Sequence, residues 1–560
     1  MKPNILFIQV DQMAASALKI YGNTACQTPH IDRLAAGGVV FENAYCNYPL
    51  CAPSRFSMAS GLLPSRIGAY DNGAEFPASV PTYAHYLRAA GYQTILSGKM
   101  HFVGPDQLHG FEERLTSDLY PSDFQWAANW KESMHQDVTD SRMVDFAGVC
   151  IRNSQIEYDI RVGFEAERRL LGLAKTQNHA PERPFFLQVS FTHPHDPFMC
   201  QKKYWDLYDG VHIPLPTVRP RDIGEIDPHS KNLLIQSGML HRVVSDEELI
   251  RIRRAYYGAI SFVDEQIGRL LSVLEDTGLG KDTVVVLTSD HGEMLGERGM
   301  WLKKNFFEPA LRVPFLIHGP MFWKARGVAE AISLVDLLPT LIGISNLDVH
   351  AQNRARIRPQ NEPQNKSQNK TQNKTQNKHR DEAENQKIET GGTVDATTSI
   401  EPVETLDGVN LLPLINGIQP EKDALVYAEI TCEGTPFPMF MIRQGRYKYI
   451  HSDQYPPQLY DLIADPNELV NLCGREGCQQ VEDELRNQVL AKWDVEFIAT
   501  DVANSQGRRR IINAALSRGK FKSWDYQPMV RDEEWFRGQT SYNEWAYSPL
   551  YGRNDDSPGG

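Results

Sequence analysis

Continuous apolar runs that stop at polar residues recur along the chain. Ile5–Val10 ends at Asp11-Gln12, and Tyr92–Leu96 leads into Ser97-Gly98-Lys99-Met100-His101. Phe185–Phe191 leads into Thr192-His193-Pro194-His195-Asp196, and Thr283–Leu287 leads toward Ser289-Asp290-His291-Gly292. A short apolar run without alternation reads as a strand buried on both faces. Helical spacing fills stretches between these runs, most clearly Glu247–Leu279. Alternating strands and helices predict an α/β layered fold with a large, mostly parallel central sheet. Ligands in such folds gather outside the carboxyl ends of the strands. The four polar endings are therefore expected to be four arms of one site.

The pattern fails between Val349 and Pro402. Four tetrads, QNKS, QNKT, QNKT and QNKH, span Gln364–His379 with almost no apolar residues nearby. Such a stretch predicts a disordered insertion, here within a catalytic domain of residues 1–423. Beyond it, Ala424–Glu429, Met439–Ile442 and Arg446–His451 read as short strands, with a hairpin turn at Gln444-Gly445. A helix is expected from about Glu482 to Phe497. Residues 424–523 thus form a smaller antiparallel-sheet unit. The tail, Trp524–Gly560, is rich in aromatic and turn residues and is expected to lie on the domain or on a neighbouring subunit.

Composition narrows the picture. The chain has 560 residues, 41% hydrophobic and 23% charged, which suits a soluble globular protein of more than one domain. A net charge of −13 excludes the basic footprint that nucleic acid requires. No apolar run approaches the ~20 residues needed to span a bilayer. Met1-Lys2-Pro3-Asn4 leads straight into the first strand without a secretory pattern, so a cytoplasmic location is expected. The eight cysteines are scattered and expected to be reduced. Cys473 and Cys478 lack a second pair for a zinc site and read as part of a surface loop.

Asp11, Asp290 and His291 are candidate metal ligands. Carboxylates favour a hard cation such as calcium, and the imidazole widens the choice toward manganese or zinc. The alternative is that both aspartates merely cap helices, but a cap does not need the histidine.

Residues 47–61 read NYPLCAPSRFSMASG, with Cys51, Pro53, Ser54 and Arg55 in a C-x-P-S-R arrangement. This resembles the signature of the type I sulfatases of the alkaline phosphatase superfamily. PTYAHYLRAAGY, SFTHPHDPF, SDHGEMLGERGMW and NFFEPALRVP look like the choline-sulfatase branch, and the resemblance covers nearly all of residues 1–345.

The resemblance implies that a formylglycine-generating enzyme oxidises Cys51. One hydroxyl of the hydrated aldehyde attacks sulfur, and the other later expels the sulfate. Arg55 and Lys99 match residues that hold the hydrate, and His101 matches the base for sulfate expulsion. His195 matches the leaving-group acid and Lys303 the sulfate-binding lysine. Asp11, Gln12, Cys51, Asp290 and His291 would hold a divalent metal, with calcium first and manganese or magnesium as alternatives. Gln12 stands where most sulfatases carry a second aspartate.

Asn72 is a candidate contact to a sulfate oxygen. Trp126 matches an aromatic wall, and Glu433, or else Glu429, an acid facing a quaternary ammonium, as cation–π physics favours. The implied reaction is hydrolysis of choline-O-sulfate or a related small alkyl sulfate by a homo-oligomer. An aryl or carbohydrate sulfatase, a phosphonate or phosphate ester hydrolase, and a non-catalytic binding protein are the rival readings. Lys131–Val149 and the tail depart from the choline-sulfatase pattern.

Overall fold

The computed structural model describes residues 2–130, 141–179, 183–319, 323–347, 400–431, 433–520 and 523–526. The tetrad insertion, most of the tail and the first half of the 131–149 segment lie outside the described residues.

In chain order the strands are β1 (Asn4–Val10), β2 (Val39–Tyr45), β3 (Gln93–Gly98), β4 (Glu113–Arg114), β5 (Gly148–Cys150), β6 (Phe185–Phe191) and β7 (Met199–Gln201). They continue with β8 (Thr283–Ser289), β9 (Arg312–His318), β10 (Arg326–Ser333), β11 (Leu425–Ile430), β12 (Met439–Gln444), β13 (Tyr447–His451) and β14 (Gln458–Asp461). An eight-stranded sheet runs β10-β2-β9-β8-β1-β6-β3-β4, while β5 and β7 pair with each other. Only β9 runs against the rest, antiparallel to both β2 and β8. The mostly parallel sheet expected from the apolar runs is present, with helices covering it.

Register places the polar endings at one level. Val10 pairs with Phe191 on one side and with Ser289 on the other. Asp11, Thr192 and Asp290 therefore leave the sheet together. On β3, Gly98 has φ +108°, and a Cβ there would lie 2.0 Å from the Ser190 carbonyl oxygen. Glycine alone lets the chain turn at this point and carry Lys99 and His101 over the same edge. Because β9 runs backwards, the residues before it, including Lys303, reach this edge as well.

The largely buried helix Asp246–Thr277 packs against β5, β7 and neighbouring helices. Ser245 and Glu248 form a capping box at its start, and Gly278 ends it at φ +77°. Its Tyr256 hydroxyl donates to the Gln12 carbonyl oxygen at 2.7 Å and accepts from Ala14 N at 3.0 Å. The core helix thereby fixes the first turn after β1.

The smaller sheet is an antiparallel meander, β11-β12-β13-β14. Gln444 pairs with Tyr447, so the hairpin loop is Gly445-Arg446, with Gly445 at φ +56°. The single helix expected from Glu482 to Phe497 is instead two, Gln479–Lys492 and Val495–Leu516. Between them Trp493 stacks on Phe440 at 4.5 Å, and Asp494 caps the second helix by accepting from Phe497 N. Among the described residues no helix is long and apolar enough to cross a membrane.

Candidate active site

Asp11, Cys51, Asp290 and His291 are buried, and one donor atom from each lies within 4.8 Å of the others. His291 Nδ1 donates to Gly292 O at 3.0 Å. That bond fixes the tautomer and turns Nε2 toward the cluster. Nε2 lies 3.3 Å from Cys51 Sγ, 3.8 Å from Asp290 Oδ2 and 3.9 Å from Asp11 Oδ1. Two carboxylates, one imidazole and the heteroatom of residue 51 fit a divalent cation.

Arg55 lies against this cluster, with four hydrogen bonds from its guanidinium. It donates to Asp290 Oδ2 at 2.8 Å, Asp11 Oδ2 at 2.8 Å, Lys99 O at 2.7 Å and Ser190 Oγ at 2.8 Å. A planar fork is the side chain that can meet two carboxylates at once. Lys99 Nζ pairs with Asp11 Oδ2 at 2.5 Å and sits 4.3 Å over the Tyr120 ring. Burial and Cys51 would raise the Asp11 acid, but Lys99 and Arg55 outweigh them and hold it below the carboxylate range. Burial likewise opposes ionisation of the Cys51 thiol, yet Lys303, Lys99 and His291 bring it well below the ordinary thiol value. The position of Sγ is thus a place built to hold negative charge.

His101 follows Lys99 in a left-handed turn, φ 62°. Asp118 holds that turn by accepting from Met100 N at 2.7 Å and His101 N at 2.6 Å. His101 is buried, and among the described residues Cys51 is the group whose thiol lies close enough to act on its imidazole as a hydrogen-bond partner. Burial lowers its basicity, and the nearby Cys51 opposes that shift. Trp126, half-buried, meets the His101 ring at 5.4 Å and the Tyr120 ring at 5.0 Å.

His195 Nδ1 donates to the Asp196 backbone oxygen at 2.8 Å, and Lys303 Nζ approaches its Nε2 at 3.1 Å. Lys303 also donates to Gln12 Oε1, and Gln12 Nε2 donates to Glu293 Oε2 at 2.6 Å. Gln12 therefore borders the cluster with its amide oxygen already engaged by an ammonium. His193 is turned away to Asp159, with Nδ1 bound to its carboxylate at 2.7 Å.

The chain around Lys303 is strained. Leu295, Arg298, Leu302 and Lys304 all have positive φ, between 47° and 78°. Each such residue costs roughly 1–3 kcal/mol and persists only where its surroundings over-determine it. Lys448 of β13 supplies part of that hold. It donates to Phe306 O at 2.8 Å and to Glu308 Oε1 at 3.0 Å, and it pairs with Glu468.

The substrate-side candidates lie in different surroundings. Glu429 points into the protein, accepting from Ser65 N at 2.7 Å, Ser65 Oγ at 2.6 Å and Trp493 Nε1 at 2.6 Å. Burial raises its acid to about 7. It docks the small sheet and does not join the site. Asn72 Oδ1 accepts from Ala52 N at 3.0 Å, which caps the first helical amide after Cys51 and leaves Nδ2 as the donor for a sulfate oxygen. Glu433 pairs with Lys304 at 2.8 Å beside the Lys303 loop.

Tyr120, Asp118, Ser190, Glu293 and Lys448 were not singled out from the sequence. They sit in loops or inside strands, and no periodicity marks a buried residue that supports another polar residue.

Residues 3–347 match the family model described as Sulfatase, and residues 500–551 match that of the choline sulfatase enzyme C terminal. A third match, N-sulphoglucosamine sulphohydrolase C-terminal, spans residues 366–494. The chain belongs to the sulfatase family and is a sulfuric ester hydrolase. It is 37% identical over 566 residues to the choline-sulfatase of Rhizobium meliloti (strain 1021), covering 99% of each chain. It is 31% identical over 377 residues to an arylsulfatase of Clostridium perfringens (strain 13 / Type A), covering 62% of this chain and 76% of that one. The phosphonate monoester hydrolase of Agrobacterium radiobacter shares the fold, with a TM-score of 0.65, 24% identity, and coverage of 88% and 95%.

Proposed function

We propose that the protein hydrolyses choline-O-sulfate, or a closely related small alkyl sulfate, to alcohol and sulfate. The observation that carries the mechanism is the position of Cys51. Its Sγ is shared by the carboxylate–imidazole cluster and is the point on which Lys99, Lys303 and His291 converge electrostatically. Once oxidised to formylglycine and hydrated, residue 51 would supply one hydroxyl to attack sulfur and another to release the sulfate.

Asp11, Asp290 and His291 would hold a divalent cation, calcium by the hardness of the carboxylates, which neutralises anionic charge near the nucleophile. Gln12 stands at the edge of this set. Arg55 orients both carboxylates, and Lys99 together with Arg55 keeps Asp11 ionised. His101, whose imidazole lies beside residue 51, can take the proton of the second hydroxyl. Lys303 and His195 face each other where a leaving oxygen needs charge and a proton. General acid assistance of this kind is worth ~10²–10⁴-fold.

The choline preference is supported by the full-length similarity and by Trp126, whose face would meet a quaternary ammonium at ~0.5–2 kcal/mol. The residue 433 carboxylate, tied to Lys304, can complement that charge only in competition with the lysine.

The test is sulfate release from choline sulfate and from p-nitrophenyl sulfate. The protein is made together with a formylglycine-generating enzyme and supplied with calcium. Strong preference for choline sulfate is expected, with no turnover by Cys51→Ala. Aryl turnover with none on choline sulfate would overturn the substrate and keep the nucleophile. Activity retained by Cys51→Ala would overturn the mechanism.

A further inference from the structure

We propose that Arg509, acting through Asp71, positions the loop that carries Asn72 and backs Trp126, and so sets which sulfate esters the site accepts. The inference rests on the reading of Asn72 and Trp126 as substrate-side residues.

Helix Val495–Leu516 presents three polar side chains to the segments around Tyr70-Asp71 and Trp130, the first of which adjoins the nucleophile helix Cys51–Ser60. Arg509 forms a bidentate pair with Asp71 at 2.6 and 2.8 Å. The two side chains are 5% and 3% exposed. Asp501 accepts from the Tyr70 hydroxyl at 2.7 Å, and Gln506 Oε1 accepts from Trp130 N at 2.8 Å. One helix thus holds residues on both sides of the Trp126 wall.

Asp71 passes the constraint on. Its Oδ1 also accepts from Gly73 N at 2.9 Å, fixing the turn. Asn72, inside that turn, caps Ala52 N, the amide next to Cys51. Gly73 lies flat on the Trp126 peptide, where a Cβ would come within 2.5 Å of the Trp126 carbonyl oxygen. A shift of this turn therefore moves the cap of the nucleophile helix and the backing of Trp126 together.

A buried ion pair is a weak way to gain stability, because desolvation offsets the attraction. A bidentate arginine–carboxylate pair does fix orientation as well as distance. That property suits a positioning role. Arg509 also lies within the stretch that matches the choline sulfatase C-terminal model, residues 500–551.

The experiment uses the full chain, with Arg509→Met, Arg509→Lys and the double variant Arg509→Met/Asp71→Asn, which removes the stranded carboxylate. In folded protein, KM for choline sulfate should rise on the order of 10-fold in the double variant, as loss of a cation–π contact predicts. Its KM for p-nitrophenyl sulfate should change less, by roughly threefold at most. Arg509→Lys should recover part of the loss. An unchanged KM ratio in folded double variant overturns the proposal.

A second arm needs no substrate. In protein made without the converting enzyme, alkylation of Cys51 by iodoacetamide is followed by peptide mass spectrometry. The double variant should react several-fold faster, roughly fivefold or more, as the capped helix start loosens. Equal rates overturn the positioning claim. If the native protein turns over no choline sulfate, the substrate reading fails, and this arm decides the positioning claim by itself.

Discussion

Replacing Lys448 by Met removes an ammonium that is 0% exposed while keeping the volume of its stem. The loss strips a cation from Glu308 and Glu468 and a donor from Phe306 O. Breaking a buried pair by removing one partner costs about 3–5 kcal/mol. The loop from Leu295 to Lys304 holds four left-handed residues, each at roughly 1–3 kcal/mol, so relaxation follows once the hold is weakened. A displacement of ~1 Å at a reacting group costs on the order of 100-fold in rate.

Lys448→Met should therefore lower kcat by roughly 100-fold and lower the urea midpoint seen by tryptophan fluorescence. Adding Glu308→Gln and Glu468→Gln removes the stranded charges. That triple variant should recover much of the midpoint but not the rate. A folded Lys448→Met protein with native kcat would refute the reasoning, because the loop would then hold Lys303 in place without the clamp.

Other expectations follow from the same contacts. Glu429→Gln keeps an oxygen for Ser65 Oγ and Trp493 Nε1 but sets an amide donor against Ser65 N, and should cost about 1–3 kcal/mol of stability with KM unchanged; a raised KM would return Glu429 to the substrate site. Removing divalent metal with a chelator should lower the thermal midpoint, and saturating calcium at ~100 times its Kd should restore about 2.7 kcal/mol; no shift with any divalent ion would exclude the cluster as a metal site. Burial raises the acids of Asp264 and Asp336 to about 7. The native state then holds these protons more tightly than the unfolded chain, whose aspartates titrate near ~3.9. Their stabilising contribution is complete below about pH 4 and is lost as the pH rises through about 7. Asp264→Asn/Asp336→Asn should remove that slope when unfolding midpoints are compared with the native protein from pH 4.5 to 8, and parallel curves would exclude it.

The strands that bear the catalytic ends were legible because β1, β6 and β8 are buried along their whole length. Burial on both faces leaves a continuous apolar run, and its end marks the site. β2, β9 and β10 were not legible. Glu42 and Asn43 interrupt β2, Pro314 interrupts β9, and β10 is an edge strand with Glu330 facing outward. Helix Val495–Leu516 escaped notice for a related reason. Its inner face uses Asp501, Gln506 and Arg509, so apolar spacing does not reveal it. Cys51, Lys99, His101, His195, Lys303, Asp290 and His291 were readable as chemistry-bearing residues. Their mutual support was not, since Arg509 meets Asp71 and Lys448 meets Glu308 only through topology.

Cys51 is 2% exposed in the folded chain, so the oxidation proposed for it must reach the thiol before the structure closes. Its neighbour His291 is synthesised 240 residues later. At ~5–20 residues per second the ribosome takes roughly 10–50 s to cover that distance. During this interval the N-terminal strands lack β8, and Cys51 has neither of its later partners, His291 and Lys303. On the proposed mechanism, the fraction of active molecules would then be set by a race between modification and chain growth, and slow translation between these two points would favour the active form.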